Sequence, residues 1–404
     1  MRAIKSIVSG LALAVTLAGC AATPAGEPPA SSVAAKRAPA VRITQPPQRD
    51  PSQLQVLFWS DAQRSERFRA MEQWFAGHEV PAAKTPRMLP KGAPLSAGLQ
   101  ADLKTLMAET NAAGIMVLED GKVRYEAYGL GLGATDRWTS FSVAKSFTST
   151  LLGAAIKDGA IASLDDPVTK YIPKLAGSAY EGVTVRQLAT MTSGVKWDES
   201  YTDPQSDVAQ MNRYVVEYGG DAIVEQMKRL PREAEPGVKW VYKTGETNLI
   251  GVLVANAVGK PLAEYAKAKI VDPAGFAGGL FWMIDPGANN IGGCCLSITL
   301  ADYARMGQFA LEGGKGVVPD GWFAEAGKAQ VDFAPRAPGF GYGYQWWTYP
   351  GGSYGAQGIF GQAITLVPAK KLVVAVVSNW PGATSSGSRA DTRDVVMRIA
   401  ASIE

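Results

Sequence analysis

The sequence predicts an α+β fold. Strands near both ends of the chain complete one antiparallel sheet flanked by terminal helices, and a mainly helical region, about residues 142–330, is inserted between them. Three observations lead there. One strand-pair signature stands at residues 114–128, a second stands at 362–377, and the stretch between them repeats its apolar residues at helical spacing. With 404 residues and 47% hydrophobic side chains the chain can build a large core. In such a fold a site belongs in the cleft between sheet and helical layer.

Taken in order, the chain opens with Arg2 and Lys5, an apolar run at residues 7–16, and Leu17-Ala18-Gly19-Cys20. Residues 1–19 read as a secretory signal, too short for a stable membrane span. Its last four residues resemble the bacterial lipoprotein signal, which implies cleavage before Cys20 and lipidation of that thiol; an ordinary signal with a chance cysteine is the alternative. Because Ala21 rather than Asp follows, the resemblance implies the bacterial cell envelope, at the periplasmic face of the outer membrane. The lipid would be the only membrane contact. Residues 20–52 are rich in Ala, Pro and Ser and read as an extended tether. The folded domain is expected over 53–404.

Within the domain, Phe68, Met71, Trp74 and Phe75 recur at helical spacing, so 59–75 reads as a docking helix. Residues 79–94 carry four prolines and read as an irregular arm, and 99–108 as a helix. Asp120-Gly121 suits the tight turn that twisted strands require, so 114–119 and 122–128 read as a hairpin. The segments 142–157, 184–191, 221–230, 247–258, 262–270 and 300–312 read as helices. A second hairpin pairs 362–367 with 372–377, and a helix over 392–402 closes the chain. Residues 340–347 read as a strand with core aromatics.

Forty basic against 37 acidic side chains nearly cancel, which argues against a nucleic-acid partner. Besides Cys20 the cysteines are Cys294 and Cys295; neighbours form a disulfide only with strain, and two small buried thiols are the plainer reading. Neither a cofactor nor a metal is expected.

The chemistry centres on Ser142-Val143-Ala144-Lys145. On a helix, residues three apart share a face, so a hydroxyl and an amine come within reach. Serine needs such a neighbour to become a nucleophile, and the apolar surroundings Val143, Ala144, Phe147, Leu151 and Leu152 would desolvate the amine into a usable base. A buried helix cap is the competing reading. Ser193-Gly194-Val195-Lys196 has the same spacing, but Gly194 argues for a turn that parts the pair. His78 is the chain's one histidine, lies among prolines, and reads as a packing or surface residue. A serine hydrolase built here must therefore use Lys or Tyr as its base. Tyr242, after the Pro236-Gly237 turn, supplies a candidate: beside an ammonium a phenol is stabilised as phenolate and can pass a proton to a leaving group, though a core tyrosine is also possible there.

Together these motifs, in this order, resemble the serine β-lactamase and penicillin-binding superfamily. The same is true of Val183-Thr184-Val185-Arg186-Gln187-Leu188-Ala189-Thr190-Met191-Thr192-Ser193-Gly194 and Gly293-Cys294-Cys295-Leu296-Ser297. The match is nearest the class C-like branch, which holds esterases and 6-aminohexanoate-dimer hydrolases. The resemblance implies a β-lactamase-like fold, Ser142 as acylated nucleophile, Lys145 as its base and Tyr242 as general acid/base. It places one oxyanion donor at the Ser142 N–H. The other would be the Ile359 N–H, after Ala356-Gln357-Gly358 in place of the usual Lys/His-Thr-Gly. That replacement, and Thr244 where the family has Asn, point away from β-lactams toward a small or peptide-like amide or ester. Gln357, Gly358 and Thr244 are expected on the substrate side, as is Tyr201, on a flap or simply on the surface. A D,D-peptidase, or a non-catalytic envelope protein of the same fold, is the rival expectation.

Overall fold

The computed structural model describes residues 41–404, so the expected signal, Cys20 and most of the tether lie outside the described residues. Eight antiparallel strands form the main sheet. In spatial order they are Lys122–Tyr128, Ala112–Glu119, Leu372–Ser378, Ala363–Val367, Tyr354–Gln357, Trp347–Thr348, Gly341–Tyr342 and Val331–Asp332. Both expected hairpins are present, and Asp120 and Gly121 take φ 47 and 75, as their tight turn requires. Strands from the two ends of the chain pair as the second and third of the sheet, with Val374 opposite Val117.

Alternation along these strands sorts their side chains onto two faces. Ile115, Val117, Val374 and Val376 face a layer made by the helices Ala97–Glu109 and Ser386–Ser402, through Leu103, Leu106, Val395 and Ile399. Met116, Leu118, Val373 and Val377 face the larger core shared with the inserted helices. Each such fully buried aliphatic side chain contributes roughly 1.5–3 kcal/mol of transfer free energy, so both faces hold the sheet.

The inserted region is mainly helical, but two of its strands join three from the chain before it in a second, five-stranded sheet. Its order is Arg42–Thr44, Gly77–Val80, Leu280–Met283, Leu296–Thr299 and Arg137–Thr139. This corrects three expectations. The tether ends before residue 52, because the β-formers of Val41-Arg42-Ile43-Thr44 pair with Gly77–Val80, and Pro51–Leu54 winds into a short helix. The proline-rich arm begins inside a strand. The 59–75 helix is broken into Asp61–Arg67 and a 3₁₀ turn at Met71–Gln73. Its aromatics serve different partners, Phe68 packing on Trp138, Phe141 and Phe360 while Trp74 packs on Trp59 under Arg49 and Arg67, which one straight stripe would not deliver. Among the described residues no helix is long and apolar enough to cross a membrane.

Candidate active site

The nucleophile candidate sits where a 3₁₀ turn, Phe141–Val143, runs into the helix Ala144–Lys157. That helix is buried from Ala144 to Ala155, as expected of a helix apolar on all sides. The tight first turn nearly eclipses residues three apart and so sets Lys145 over Ser142. Phe141, immediately before the serine, is held at φ 43, a left-handed conformation that the aromatic cluster of Phe68 and Phe360 around its ring fixes in place.

Lys145 Nζ lies 3.1 Å from Ser142 Oγ, 2.9 Å from Thr244 Oγ1 and 2.7 Å from the Gly293 carbonyl. The side chain is 1% exposed. Burial pulls its pKa from 10.5 to about 8, against the opposing charge of Glu199. Gly293 is packed so closely on helix Thr244–Val258 that a Cβ would stand 2.8 Å from Asn248 Oδ1 and the Thr244 carbonyl; only glycine lets its own carbonyl reach the lysine.

Tyr242 precedes that same helix, held by stacking on Trp347 at 5.4 Å and edge-on to Tyr342. The Lys145 ammonium stands 5.1 Å from the centre of its ring. The expected phenolate is corrected here: burial first, and the Glu199 charge second, push the phenol's pKa upward, with the Ser142 hydroxyl and Arg389 working the other way. The resting group is therefore a neutral phenol. Trp347 and Tyr342 are the rings of the aromatic stretch that reach the site.

Gly358 follows the strand Tyr354–Gln357 and presses on the nucleophile's turn: a Cβ there would lie 2.6 Å from the Ser140 carbonyl and 3.2 Å from Phe141 Cβ. Phe360, in the turn Ile359–Gly361 that follows, packs on Phe141 at 5.3 Å, so that turn lies against the segment that holds the nucleophile. Gln357 Nε2 donates to the Tyr349 hydroxyl at 2.6 Å, turning the amide toward that ring. Tyr201 joins the cluster through Glu199, its hydroxyl donating to Oε1 at 2.9 Å.

The decoy motif does not share a helical face. Gly194 takes φ 74, and the Ser193 hydroxyl is engaged by Glu246. His78 is buried in the second sheet with Nδ1 3.1 Å from Asn290 Oδ1. Cys294 and Cys295 form a disulfide, against the expectation of two free thiols; Cys295, at φ 71, turns the chain so that neighbouring side chains meet.

Sequence reasoning passed over two residues. Glu199 sits among Trp197, Tyr201 and Thr244, and its signal was present: in an extended segment residues 197, 199 and 201 share a side. Arg389, on the final helix, donates to the carbonyls of Gly358 and Gln362 at 3.1 and 3.4 Å and lies over the Trp380 ring. The strand itself carries no cation, yet a guanidinium from the far end of the chain reaches its end. Burial lowers the pKa of Arg389 to about 10.

A sequence profile of the family described as Beta-lactamase matches residues 99–396. The chain belongs to the β-lactamase family. It is 31% identical over 311 residues to the 6-aminohexanoate-dimer hydrolase of Paenarthrobacter ureafaciens, covering 69% of this chain and 76% of that one. A solved structure from Bacillus anthracis, assigned as a 6-aminohexanoate-dimer hydrolase, superposes with a TM-score of 0.72 at 21% identity, over 83% of this chain and 93% of its own. A D-stereospecific amidohydrolase from Streptomyces superposes at 0.58 with 20% identity, over 74% and 98%. The β-lactamase-like α+β fold and a hydrolase of the serine class thus agree with the sequence reading. Among the described residues no group of three or more His, Cys, Asp or Glu could hold a metal ion.

Proposed function

We propose that this family member hydrolyses a linear amide or ester through an acyl-enzyme on Ser142. The observation that carries this is the buried Lys145 amine, 3.1 Å from Ser142 Oγ, in a chain whose one histidine is engaged elsewhere. Lys145 takes the hydroxyl proton as Oγ attacks the carbonyl carbon. The N–H groups of Ser142 and Ile359 receive the developing oxyanion. Tyr242, a neutral phenol, gives its proton to the departing amine or alkoxide, and Lys145 returns a proton to the phenol's oxygen. Water then attacks the acyl carbon by the reverse path and frees Ser142.

The substrate reading favours an open-chain amide over a β-lactam. The strand before Ile359 has Ala356-Gln357-Gly358 where the family grips a carboxylate with a cation, and Arg389 already serves two carbonyls. The similarity to a 6-aminohexanoate-dimer hydrolase supports the same direction. Turnover of a panel tests this: aminohexanoate oligomers, short-chain esters, D-amino-acid amides and nitrocefin. Open-chain amides or esters are expected to turn over, with nitrocefin the poorest. Nitrocefin as the best substrate would reject the substrate reading, and an inert panel would favour the non-catalytic rival.

We further propose lipid attachment at Cys20 and residence in the cell envelope, on the leader sequence alone. Metabolic labelling with a fatty acid should mark the expressed chain and vanish in Cys20→Ala; label that survives the substitution rejects the anchor.

A further inference from the structure

We infer that Glu199 is the positioning residue of the acylation step: it clamps Thr244 as a pure acceptor, and so aims the lone pair of Lys145 at Ser142. This rests on the roles of Ser142 and Lys145 proposed above. The Glu199 carboxylate is served by four donors. Oε2 accepts the Thr244 backbone N–H at 2.9 Å and the Trp197 indole N–H; Oε1 accepts the Tyr201 hydroxyl at 2.9 Å and the Thr244 hydroxyl. An ionised carboxylate is an acceptor only, with room for about four such bonds.

The consequence follows by counting protons. Threonine has one hydroxyl proton, and here it is given to Glu199, so Thr244 Oγ1 can offer only lone pairs to Lys145 Nζ at 2.9 Å. The Gly293 carbonyl, at 2.7 Å, is likewise an acceptor. A neutral amine has two N–H bonds and one lone pair. With both N–H groups claimed by Thr244 and Gly293, the lone pair is left for the third neighbour, the Ser142 hydroxyl at 3.1 Å. Without Glu199, Thr244 is free to turn its proton onto that lone pair and quench the base.

Glu199 also places charge. The titratable groups that feel it are Lys145 on the buried helix, Tyr242 before helix Thr244–Val258, Tyr201 on its own segment and Tyr342 on the sheet. The three tyrosines are pushed upward and stay neutral, which makes Glu199 the anion that opposes the desolvation of Lys145. Removing the charge lets Lys145 lose its proton at lower pH. A residue that only braced the fold would lower the rate at every pH and leave the midpoint in place.

The test is the pH profile of kcat and kcat/KM for a nitrophenyl ester with the full chain and Glu199→Gln and Glu199→Asp. For Glu199→Gln, kcat should fall about tenfold to a hundredfold with little change in KM, and the acid limb should move to lower pH. Glu199→Asp keeps the charge and should keep the midpoint while recovering part of kcat. An unmoved Glu199→Gln midpoint, or kcat within about twofold of the parent, overturns the inference. Should Glu199→Gln fail to fold, Thr244→Val and Thr244→Ser decide: the valine should lose kcat and the serine restore most of it, while an active valine variant overturns the relay. A parent enzyme that is never acylated on Ser142 would instead reject the underlying catalytic reading.

Discussion

Replacing Lys145 by Met should separate catalysis from stability. The ammonium's fall from 10.5 to about 8 means that burial, net of the opposing Glu199 charge, disfavours its charged form by roughly 3–4 kcal/mol, at about 1.4 kcal/mol per pKa unit. The sign is that of a depressed cation: the penalty on the folded state is full below pH 8, shrinks between 8 and 10.5, and is gone above. At pH 7 the neutral methionine therefore relieves about 3–4 kcal/mol at most. Against this, the Gly293 carbonyl and Thr244 Oγ1 lose a donor, at about 1–3 kcal/mol each if left unsatisfied. The terms nearly cancel, so chemical denaturation at pH 7 should place Lys145→Met within about 2 kcal/mol of the parent. Acylation by a nitrophenyl ester should nevertheless fall by about 10²–10⁴, the usual contribution of a general base. An acylation rate near the parent's would refute the role of Lys145, and a large loss of stability would refute the reasoning about its burial.

Three more expectations follow. In the parent enzyme kcat/KM should rise as pH climbs through about 8, because Lys145 must shed its proton to act; activity should not fall until above the ordinary tyrosine range, because Tyr242 is shifted upward. A stopped-assay profile from pH 6 to 10 checks this: a rise centred near 8 with no fall by pH 10 is expected, and a fall below pH 10 would contradict the shift of Tyr242. Tyr242→Phe should lower amide turnover by about 10²–10⁴ and nitrophenyl-ester turnover far less, since nitrophenolate leaves without a proton; equal losses on both would deny Tyr242 its role as acid. Gly358→Ala should slow acylation about a hundredfold with the far-UV CD spectrum retained, because its Cβ, 2.6 Å from the Ser140 carbonyl, must push the oxyanion strand off the nucleophile's turn. Parent-like labelling by a fluorophosphonate would mean that this contact does not set the site.

What the sequence revealed about the fold was whatever repeats locally. Asp120-Gly121 between two apolar runs announces its hairpin, and the long apolar series behind Ser142 announces its helix. The second sheet escaped notice because its strands are three or four residues long and come from distant parts of the chain: Arg42–Thr44 finds its partner at Gly77–Val80 and through it Leu280–Met283. No window of sequence contains that pairing. The site divides the same way. Ser142 and Lys145 are neighbours on one turn, so spacing was enough to nominate them, and the position of Gly194 was enough to discount Ser193. Glu199 needs its partner Thr244, 45 residues away, and Arg389 needs the last helix to fold back on Gly358. The phenolate expected of Tyr242 failed for a related reason: a nearby ammonium was legible, but the burial of the phenol, and after it the charge of Glu199, was not.

The central claim is a covalent one, and intact-mass spectrometry tests it most directly. Purified chain should be mixed with a fluorophosphonate or a slowly released nitrophenyl ester, quenched, weighed and mapped by proteolysis. Expected is one adduct per chain on the peptide holding Ser142, absent in Ser142→Ala. An adduct that persists in that variant, that maps to Ser193, or that never forms while substrate is still hydrolysed would contradict an acyl-enzyme on Ser142.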